Sequence, residues 1–358
     1  MTDTSPATPP PAGADPRTPA PLRIGVLGAA RITREALADP ARRTGHRVVA
    51  LAARDRGRAQ EAAGALGAER VLDGYADVLG DPEVEVVYDP LANALHAPAN
   101  LAAVRAGRHV LTEKPSAACA ADARVVRDAA AAAGVHVVEA FHHLHHPVHR
   151  RLVELAVGGE LGDLVRVEVD MLMPAPPADD PRWSLELGGG AVMDLGCYGL
   201  RTLRELAAQD PRHAGEPRVT GARAVERPGS PGVDAELVAD LVLPSGAVGV
   251  VRSRMDGEEL RFSCRLVGSR GEAYAPGFVK PQLDDRVVVR DGSGERTEHL
   301  GTRSSYDHQL DALARLLRGA PPVPGAPRLD ADDAVATMEL VDACYAAAGL
   351  APRPAALG

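Results

Sequence analysis

Short apolar runs alternate with helix-forming segments from Leu22 to Phe141, and this alternation constrains the fold more than any other feature of the chain. The apolar runs are LRIGVLGAA, HRVVALAAR, VEVVYDP, HVLTEKP and VHVVEAF, and the segments between them include ARITREALADPARRTG and AADARVVRDAAAAAG. Apolar strands that alternate with helices indicate a parallel sheet covered on both faces. The sequence therefore predicts an α/β domain over residues 22–141.

Beyond residue 141, strand-like runs follow one another with few helices between them. They are LVRVEVDMLM, PRVTGARAVER, VDAELVADLVL, AVGVVRSRM, LRFSCRLVGS and RVVVR, and turn signals such as PSG, DGEE and GSRG separate several of them. Such runs favour a large, mostly antiparallel sheet. We therefore predict an α+β second domain over residues 142–358. Its last helix, at about residues 330–349, is a candidate to pack back on the first domain.

Residues 1–21 are rich in Pro, Ala, Thr and Asp and almost lack large apolar side chains. Such a segment cannot bury enough surface to offset the entropy of the chain, so we predict a disordered tail. The tail also lacks the cationic and apolar regions of a signal peptide. We therefore expect neither export nor anchoring.

Charge and cysteine content exclude several classes of function. Forty basic against forty-nine acidic side chains give a formal net charge of -9, which disfavours nucleic acid and anionic membranes as partners. No run approaches the roughly 18 apolar residues of a membrane span. The four scattered cysteines, which form no CxxC pair, argue against a disulfide framework or a zinc ribbon and favour the cytoplasm; they are Cys119, Cys197, Cys264 and Cys344.

The turn IGVLGAARIT lies between the first strand and the first helix, where a dinucleotide-binding fold places its phosphate-binding turn. Only Gly28 matches the GxGxxG fingerprint, because Ala30 and Thr33 stand at the other two glycine positions. A simple tight turn is the alternative. The repeated βα pattern and the adjacent helix N-terminus favour dinucleotide binding.

The end of the second strand is expected to contact the adenosine ribose of the cofactor. It reads AARD, with Arg54 before Asp55. A guanidinium can bind a 2′-phosphate, so Arg54 favours NADP over NAD. A solvated loop charge is the alternative for Arg54, and Asp55 keeps NAD open.

Three further motifs follow in order: DPLANALHAP, TEKP, and GGGAVMDLGCYGL at residues 188–200. Together with the phosphate turn, they resemble the Gfo/Idh/MocA family of NAD(P)-dependent oxidoreductases, and the match runs from Leu22 to about Leu350. The tyrosine in the last motif most resembles the branch of dihydrodiol dehydrogenases, NADP-dependent xylose dehydrogenases and glucose–fructose oxidoreductase. The resemblance implies a Rossmann domain, a sheet-based substrate domain, and a homodimer or larger homo-oligomer.

The same resemblance implies that Lys114, Asp194 and Tyr198 are the catalytic residues. Alcohol oxidation by a nicotinamide requires a group that takes the hydroxyl proton and a cation that stabilises the developing alkoxide. The ammonium of Lys114 is expected to lower the pKa of Tyr198, and Asp194 to orient Lys114 or to bind a substrate hydroxyl. A core tyrosine and a surface carboxylate are the alternative for an arbitrary pair at this spacing.

Two local features support the catalytic interpretation. The three glycines before the helix have no evident packing purpose and would allow the backbone to approach a ligand. The Lys114–Pro115 bond is expected to be cis, which would direct the lysine into the cleft. In the loop that follows the run VEVVYDP, Asp89 replaces the family's asparagine and would place a carboxylate near the nicotinamide. His96 is either a helix-start residue or a substrate contact.

The predicted ligand contacts fall into two sets. The expected cofactor contacts are Gly28, Ala30, Arg31, Ile32, Arg54, Pro90, Asn93, His96, Glu113 and Lys114. The expected substrate contacts are His96, His142, Trp183, Asp194 and Tyr198. Trp183, the only tryptophan, is predicted to wall the cleft or to cap a core.

The segment FHHLHHPVH contains five histidines and invites a metal interpretation. Pro147 interrupts the helix that paired ligands would need, and no cysteine or carboxylate cluster is near, so we predict no metal site. The segment instead resembles the family's interdomain crossing, with Leu144 where the family has arginine.

The sequence thus predicts an NADP-dependent oxidoreductase. It would transfer a hydride between nicotinamide and a hydroxyl or carbonyl carbon of a sugar, cyclitol or cyclic diol. A cofactor-binding regulator without catalysis and a metal-dependent hydrolase are the alternatives. The regulator would be expected to lack one of the three catalytic side chains.

Overall fold

The computed structural model describes residues 20–321 and 323–357. The predicted disordered tail lies outside the described residues except for Ala20 and Pro21. No helix in the described ranges combines the length and the apolar character needed to cross a membrane. The four cysteines are buried and free.

The first domain contains a five-stranded parallel sheet with the strand order β2-β1-β3-β4-β5. Its strands are β1 Arg23–Leu27, β2 Arg47–Ala52, β3 Val86–Asp89, β4 His109–Thr112 and β5 Val137–Glu139. The helices of this part of the chain are α1 Asp39–Thr44, preceded by a π-helical turn at Arg34–Ala38, α2 Arg56–Leu66, α3 Tyr75–Gly80, α4 Asn93–Arg105 and α5 Ala120–Ala133. The strands are almost entirely buried, as expected for a sheet covered on both faces. The predicted α/β domain is confirmed.

The second domain contains an eight-stranded sheet with the order β13-β12-β11-β10-β6-β9-β8-β7. Its strands are β6 Leu164–Pro174, β7 Arg218–Glu226, β8 Asp234–Val242, β9 Val248–Gly257, β10 Arg261–Gly268, β11 Gly271–Ala275, β12 Arg286–Asp291 and β13 Gly294–His299. The central β6 and β9 pair in parallel, and the other neighbouring strands pair antiparallel. The predicted mostly antiparallel sheet is confirmed.

Strands β11 and β13 were absent from the sequence prediction. β13 reads GERTEH and lies at the edge of the sheet, where its side chains are exposed or half-buried. An edge strand without a buried face carries no apolar alternation, so its pattern cannot be distinguished from that of a loop. β11 is only five residues long and begins at a glycine.

Helices cover one face of the large sheet. The helices that pack on this sheet are α6 Pro147–Val157, α7 Cys197–Ala208, which follows a π-helical turn at Val192–Gly196, and α9 Ala331–Ala347, which contacts the edge strand β7. Helix α8 Ser305–Leu317 packs on the first domain instead, and short 3-10 turns lie at His142–His145 and Pro181–Trp183. Gly199 allows α7 to approach the sheet, because a Cβ there would lie 2.7 Å from a methyl of Val251. Leu200 and Leu203 of α7 are fully buried, and each such side chain contributes about 2 kcal/mol.

The two domains are joined by more than the chain crossing at residue 141. Tyr306, Leu310 and Leu313 of α8 belong to the apolar core of the first domain. Asp307 accepts hydrogen bonds of 3.1 and 3.0 Å from Nε of Arg43. Helix α9 packs against α5 of the first domain as well as against β7 and α7.

Candidate active site

A cavity of about 1220 Å³ lies between the domains, at the carboxyl ends of β1 to β4. The strand order reverses between β1 and β3, and open α/β sheets bind their ligands in the crevice beside such a reversal. All the predicted cofactor contacts border this cavity. Of the predicted substrate contacts, His96, His142, Asp194 and Tyr198 border it and Trp183 does not.

The end of β1 forms the tight turn that the sequence predicts. Gly28 has φ of +94°, and a Cβ there would lie 3.0 Å from the Leu91 side chain, so both conformation and space favour glycine. The Gly28 amide donates a 2.7 Å hydrogen bond to the carbonyl of Ala52 on β2. This turn therefore ties the end of β1 to β2 at the border of the cavity.

Three exposed arginines, Arg31, Arg54 and Arg58, border the outer end of the cavity. Asp55 also borders it, but its Oδ1 accepts a 2.7 Å hydrogen bond from the Arg58 amide and caps α2. One carboxylate oxygen is thus engaged in holding the helix N-terminus. This end of the cavity presents more positive than negative charge.

Lys114 and Asp194 form a buried ion pair at the inner end of the cavity. The Lys114 Nζ lies 3.2 Å from Oδ1 of Asp194 and donates a 2.8 Å hydrogen bond to the Asp194 carbonyl oxygen. Burial lowers the pKa of Lys114, but the adjacent Asp194 carboxylate outweighs it and holds that pKa above its usual value. Lys114 is therefore a fixed cation, and Asp194 orients it.

Arg182 is the second cation on Asp194, and sequence reasoning missed it. Its Nε donates a 2.7 Å hydrogen bond to Oδ2 of Asp194, and its Nη1 lies 3.3 Å from Asp180. Burial would raise the pKa of Asp194, but Lys114 and Arg182 keep it below its usual value. The signal in the sequence is weak, since DDPRW indicates only a capped turn.

Tyr198 lies beside this ion pair on α7. The Lys114 Nζ is 4.9 Å from the centre of the Tyr198 ring, and Phe141 packs edge-on against that ring with centres 5.5 Å apart. Burial raises the pKa of Tyr198 well above its usual value, and the nearby Glu113 carboxylate adds to this effect. The expectation of a lowered pKa is wrong for this structure, because burial of the phenol and the neighbouring carboxylates raise it.

The side chains of His96 and Glu139 hold the loop that carries Lys114. The Lys114–Pro115 bond is cis. The carbonyl oxygen of Pro115 lies 2.7 Å from His96 Nδ1, and the Ser116 amide donates a 2.6 Å hydrogen bond to Glu139. Burial lowers the pKa of His96 to about 4.

His96 lies in the first turn of α4, and its Nε2 lies 2.9 Å from the Leu91 carbonyl oxygen. Both ring nitrogens therefore face backbone carbonyl groups. This arrangement favours the helix-start interpretation over a polar substrate contact.

Asp89 is fully buried and does not border the cavity. Its Oδ1 accepts a 3.1 Å hydrogen bond from the Leu91 amide, and burial raises its pKa well above the usual value. The expectation of a carboxylate that borders the nicotinamide site is therefore wrong, because Asp89 lies behind the cavity wall and shapes the loop from inside.

The glycine run at residues 188–190 is packed against protein groups. A Cβ on Gly189 would lie 2.8 Å from the Ser184 carbonyl oxygen and would overlap that of Arg182. Gly190 has φ of +131°, and the carbonyl oxygen of Gly188 accepts a 2.9 Å hydrogen bond from the side-chain Nδ2 of Asn93. The interpretation that these glycines have no packing purpose is wrong, because they allow three segments to meet behind Asp194.

His142 and Trp183 differ in their access to the cavity. His142 borders it and stacks on Tyr306 with ring centres 3.8 Å apart, and its Nδ1 lies 2.8 Å from Ser305 Oγ. Trp183 is buried, donates a 3.3 Å hydrogen bond to the Pro176 carbonyl oxygen and lies under the Arg227 guanidinium. Trp183 thus supports the turn that carries Arg182. Within residues 20–321 and 323–357, no group of His, Cys, Asp and Glu side chains has the geometry of a metal site.

Comparison with known proteins gives matches to both domains. Residues 22–141 match the model of the Gfo/Idh/MocA oxidoreductase family with its NAD-binding Rossmann fold, and residues 149–274 match the C-terminal domain of the same family. A D-xylose 1-dehydrogenase (NADP(+)) of Haloferax volcanii is 33% identical over 330 residues, which cover 91% of this chain and 97% of the relative.

A dTDP-3,4-didehydro-2,6-dideoxy-alpha-D-glucose 3-reductase of Streptomyces violaceoruber is 33% identical over 338 residues, or 92% of this chain and 96% of the relative. Among solved structures, the 3-ketoreductase KijD10 of Actinomadura kijaniata, in complex with NADP and TDP-benzene, superimposes with a TM-score of 0.80. It is 26% identical, and the alignment covers 92% of this chain and 98% of KijD10. The sequence motifs, the two sheets, the cleft between them and these matches together show that the chain belongs to the Gfo/Idh/MocA family of oxidoreductases.

Proposed function

We propose that this protein is an NADP-dependent oxidoreductase that interconverts a hydroxyl and a carbonyl group on a sugar or a related cyclic polyol. The observation that carries the proposal is the buried Lys114–Asp194 pair beside Tyr198, in the same cavity as the phosphate turn and Arg54. The xylose dehydrogenase and the keto-sugar reductase among the relatives support this class of substrate.

The residues at the outer end of the cavity fit a dinucleotide phosphate. Gly28 borders the cavity at the end of β1, and Arg31, Arg54 and Arg58 supply guanidinium groups. Asp55, which would favour an unphosphorylated ribose, has one oxygen engaged in capping α2. These features favour NADP over NAD.

When it is bound, the nicotinamide supplies or accepts the hydride. The phenol of Tyr198 is protonated near neutral pH, because burial raises its pKa, so it is suited to donate a proton to a carbonyl oxygen. The Lys114 ammonium stabilises the negative charge that develops on that oxygen, and Asp194 holds the ammonium in place.

Arg182 has a supporting role in the proposed chemistry. Its guanidinium is a second positive charge beside Asp194 and helps to keep that carboxylate ionised. It contacts Oδ2, so Oδ1 stays free to pair with Lys114. Lysine at this position would keep the charge but lose the fork geometry of the guanidinium.

The test is a nicotinamide absorbance assay with NADPH or NADP, using aldoses, keto-sugars, inositols and cyclic diols. We expect turnover with the phosphorylated cofactor and a loss of about 100- to 10,000-fold in Tyr198→Phe. Turnover that is unchanged in Tyr198→Phe would contradict the role of the phenol. NADPH binding without turnover on any compound would favour the regulator instead.

We also propose a homodimer that uses the outer face of the large sheet. The strand register places Val225, Val248 and Tyr274 on that face, with exposed fractions of 58%, 40% and 38%. Light scattering after gel filtration tests this proposal. The predicted dimer mass would fall to that of one chain in Tyr274→Glu, and a wild-type chain that elutes as a monomer would contradict it.

A further inference from the structure

A fully buried arginine near the end of the described chain, Arg353, contacts the segment behind the catalytic ion pair. Its Nε donates a 2.6 Å hydrogen bond to the carbonyl oxygen of Gly189, and its Nη1 donates one of 2.8 Å to that of Gly232. Its Nη2 lies 2.6 Å from Oδ1 of Asp234, and neither side chain of that pair is exposed. The guanidinium also lies over the Tyr345 ring, 4.0 Å from its centre.

Asp234 extends this contact to the turn that carries the catalytic carboxylate. Its Oδ2 accepts a 2.8 Å hydrogen bond from the amide of Val192, the first residue of the π-helical turn. Its Oδ1 also accepts a 2.9 Å hydrogen bond from the Tyr345 hydroxyl. Arg353 and Asp234 therefore hold both the glycine run and the start of the turn on which Asp194 lies.

Backbone hydrogen bonds connect the Arg353–Asp234 pair to Arg182 and Asp194 through the glycine run. The Gly190 amide donates a 3.0 Å hydrogen bond to the carbonyl oxygen of Arg182, and the Asp194 amide donates one of 3.0 Å to that of Gly190. Arg182 and Asp194 are thus both attached to Gly190. A Cβ added to Gly190 would overlap the side chains of Arg353 and Asp234.

The segment around Arg353 is also fixed to the first domain. The amides of Ala356 and Leu357 donate hydrogen bonds of 2.7 and 3.2 Å to Asp122, which is buried in the first turn of α5. The segment 350–357 therefore contacts the glycine run through Arg353 and the Rossmann domain through its later backbone. Both sides of the cleft are held by this one segment.

We infer that Arg353 is a positioning residue for catalysis, acting with Asp234 to fix the glycine run and thereby Asp194 and Arg182. The inference rests on the proposed function, since it assigns Asp194 to the reaction. Its physical basis is that every polar atom of a buried charged network must be satisfied, so the network allows one arrangement of the backbone. A displacement of about 1 Å at a reacting group can lower a rate about 100-fold.

The test compares wild type with Arg353→Lys, which keeps the charge but cannot bind Gly189, Gly232 and Asp234 together. We expect kcat per bound cofactor to fall about 100-fold, while the Kd for NADPH, measured by fluorescence, changes less than threefold. A residue needed only for folding would lower the fraction of competent sites and leave kcat per site unchanged. Amide exchange should accelerate over residues 188–194 and not in β1 or α2.

A charge-neutral double variant guards against misfolding. Arg353→Met combined with Asp234→Asn leaves no unpaired buried charge, which is the main cause of collapse when one partner of such a pair is removed. We expect it to fold, to bind NADPH and to show the same loss of kcat. The control is Arg318→Lys, since Nη2 of Arg318, at the end of α8, donates a 3.0 Å hydrogen bond to Glu85 of the first domain, away from the catalytic turn.

Unchanged amide exchange at residues 188–194 in Arg353→Lys, or unchanged kcat per bound cofactor in either Arg353 variant, would overturn the inference. The exchange measurement does not depend on turnover. If wild type turns over no compound while exchange at 188–194 accelerates in Arg353→Lys, the proposed function fails and the structural role of Arg353 stands.

Discussion

The two ends of the cleft are built in different ways. At the cofactor end, exposed arginines surround a turn that is defined by one glycine and by neighbouring backbone. At the catalytic end, Lys114 and Asp194 are only 12% and 14% exposed at their side chains, and each has a fixed partner. The first end is set by local loops, and the second by contacts between segments far apart in the chain.

This difference indicates how each end tolerates change. An exposed cation on a loop can move and is screened by solvent, so its loss weakens a ligand contact and little else. A buried charge depends on its partners for solvation, and removal of one partner affects the whole group. We therefore expect substitutions at the catalytic end to affect the rate and those at the cofactor end to affect cofactor preference.

The largest effect is expected from Lys114→Met. Loss of the ammonium removes the charge that stabilises the developing oxyanion, and kcat should fall about 1000-fold. Steady-state kinetics with NADPH would measure this. The chain offers a matched control in Lys280, its only other lysine, which borders the cavity but pairs with Glu35 at 2.8 Å. An equal loss of kcat in Lys280→Met would mean that any positive charge in the cleft supports the reaction, whatever its position.

A smaller but still large effect is expected from Gly189→Ala, which touches no ligand. The added methyl collides with the carbonyl oxygen of Arg182, so the segments behind Asp194 must move apart. We expect kcat to fall about 100-fold. The control is Gly64→Ala in α2, where an added Cβ meets nothing within 4 Å. Full activity of Gly189→Ala would show that the catalytic end is more tolerant than the comparison implies.

At the cofactor end, Arg54→Ala should lower kcat/KM for NADP about 30-fold and leave that for NAD nearly unchanged. One hydrogen bond between a guanidinium and a phosphate contributes about 2 kcal/mol, which corresponds to this factor. The comparison substitution is Arg56→Ala, since Arg56 is exposed two residues further on, pairs with Asp73 and does not border the cavity. A parallel loss with both cofactors would contradict recognition of the 2′-phosphate.

The smallest expected effect is a loss of folding stability at acidic pH, which we attribute to His149, a buried residue of α6. Burial lowers the pKa of His149 to about 4, whereas an unfolded histidine titrates near 6.5. Between these values the unfolded state binds the proton and the folded state does not, so stability falls as the pH drops below 6.5. At pH 5.5 this costs about 1.4 kcal/mol for one histidine.

Urea unfolding at pH 7.5 and 5.5 would measure this loss in wild type and in His149→Leu. The variant should lose about 1.4 kcal/mol less than wild type between the two pH values. An identical pH dependence in His149→Leu would show that this histidine binds its proton equally well in the folded and unfolded states.

The cofactor end was largely predictable because its signals are local. Gly28 stands between a strand and a helix, and Arg54 follows the next strand, so the order of elements places both beside one crevice. The edge strand β13 escaped prediction for the converse reason, since a strand without a buried face has no apolar period.

At the catalytic end, the sequence predicted which three residues take part but not most of their contacts. The motifs pointed to Lys114, Asp194 and Tyr198, and the structure brings these three together. Arg182 was missed, and the glycine run was assigned to a ligand although it serves contacts within the protein. The pKa of Tyr198 was misjudged because the burial that raises it comes from distant parts of the chain, such as Phe141, which packs against the tyrosine ring.

The sequence by itself determined the alternation of strands and helices, the phosphate turn and the motifs of the family. These features depend on the period of apolar side chains and on the conformation of single glycines, which neighbouring residues specify. Only the tertiary structure decided the charge on Tyr198, the partners of Asp194 and the place of Arg353. These depend on burial and on pairing between distant segments, and burial sets the free energy of a charge in a way that no local pattern records.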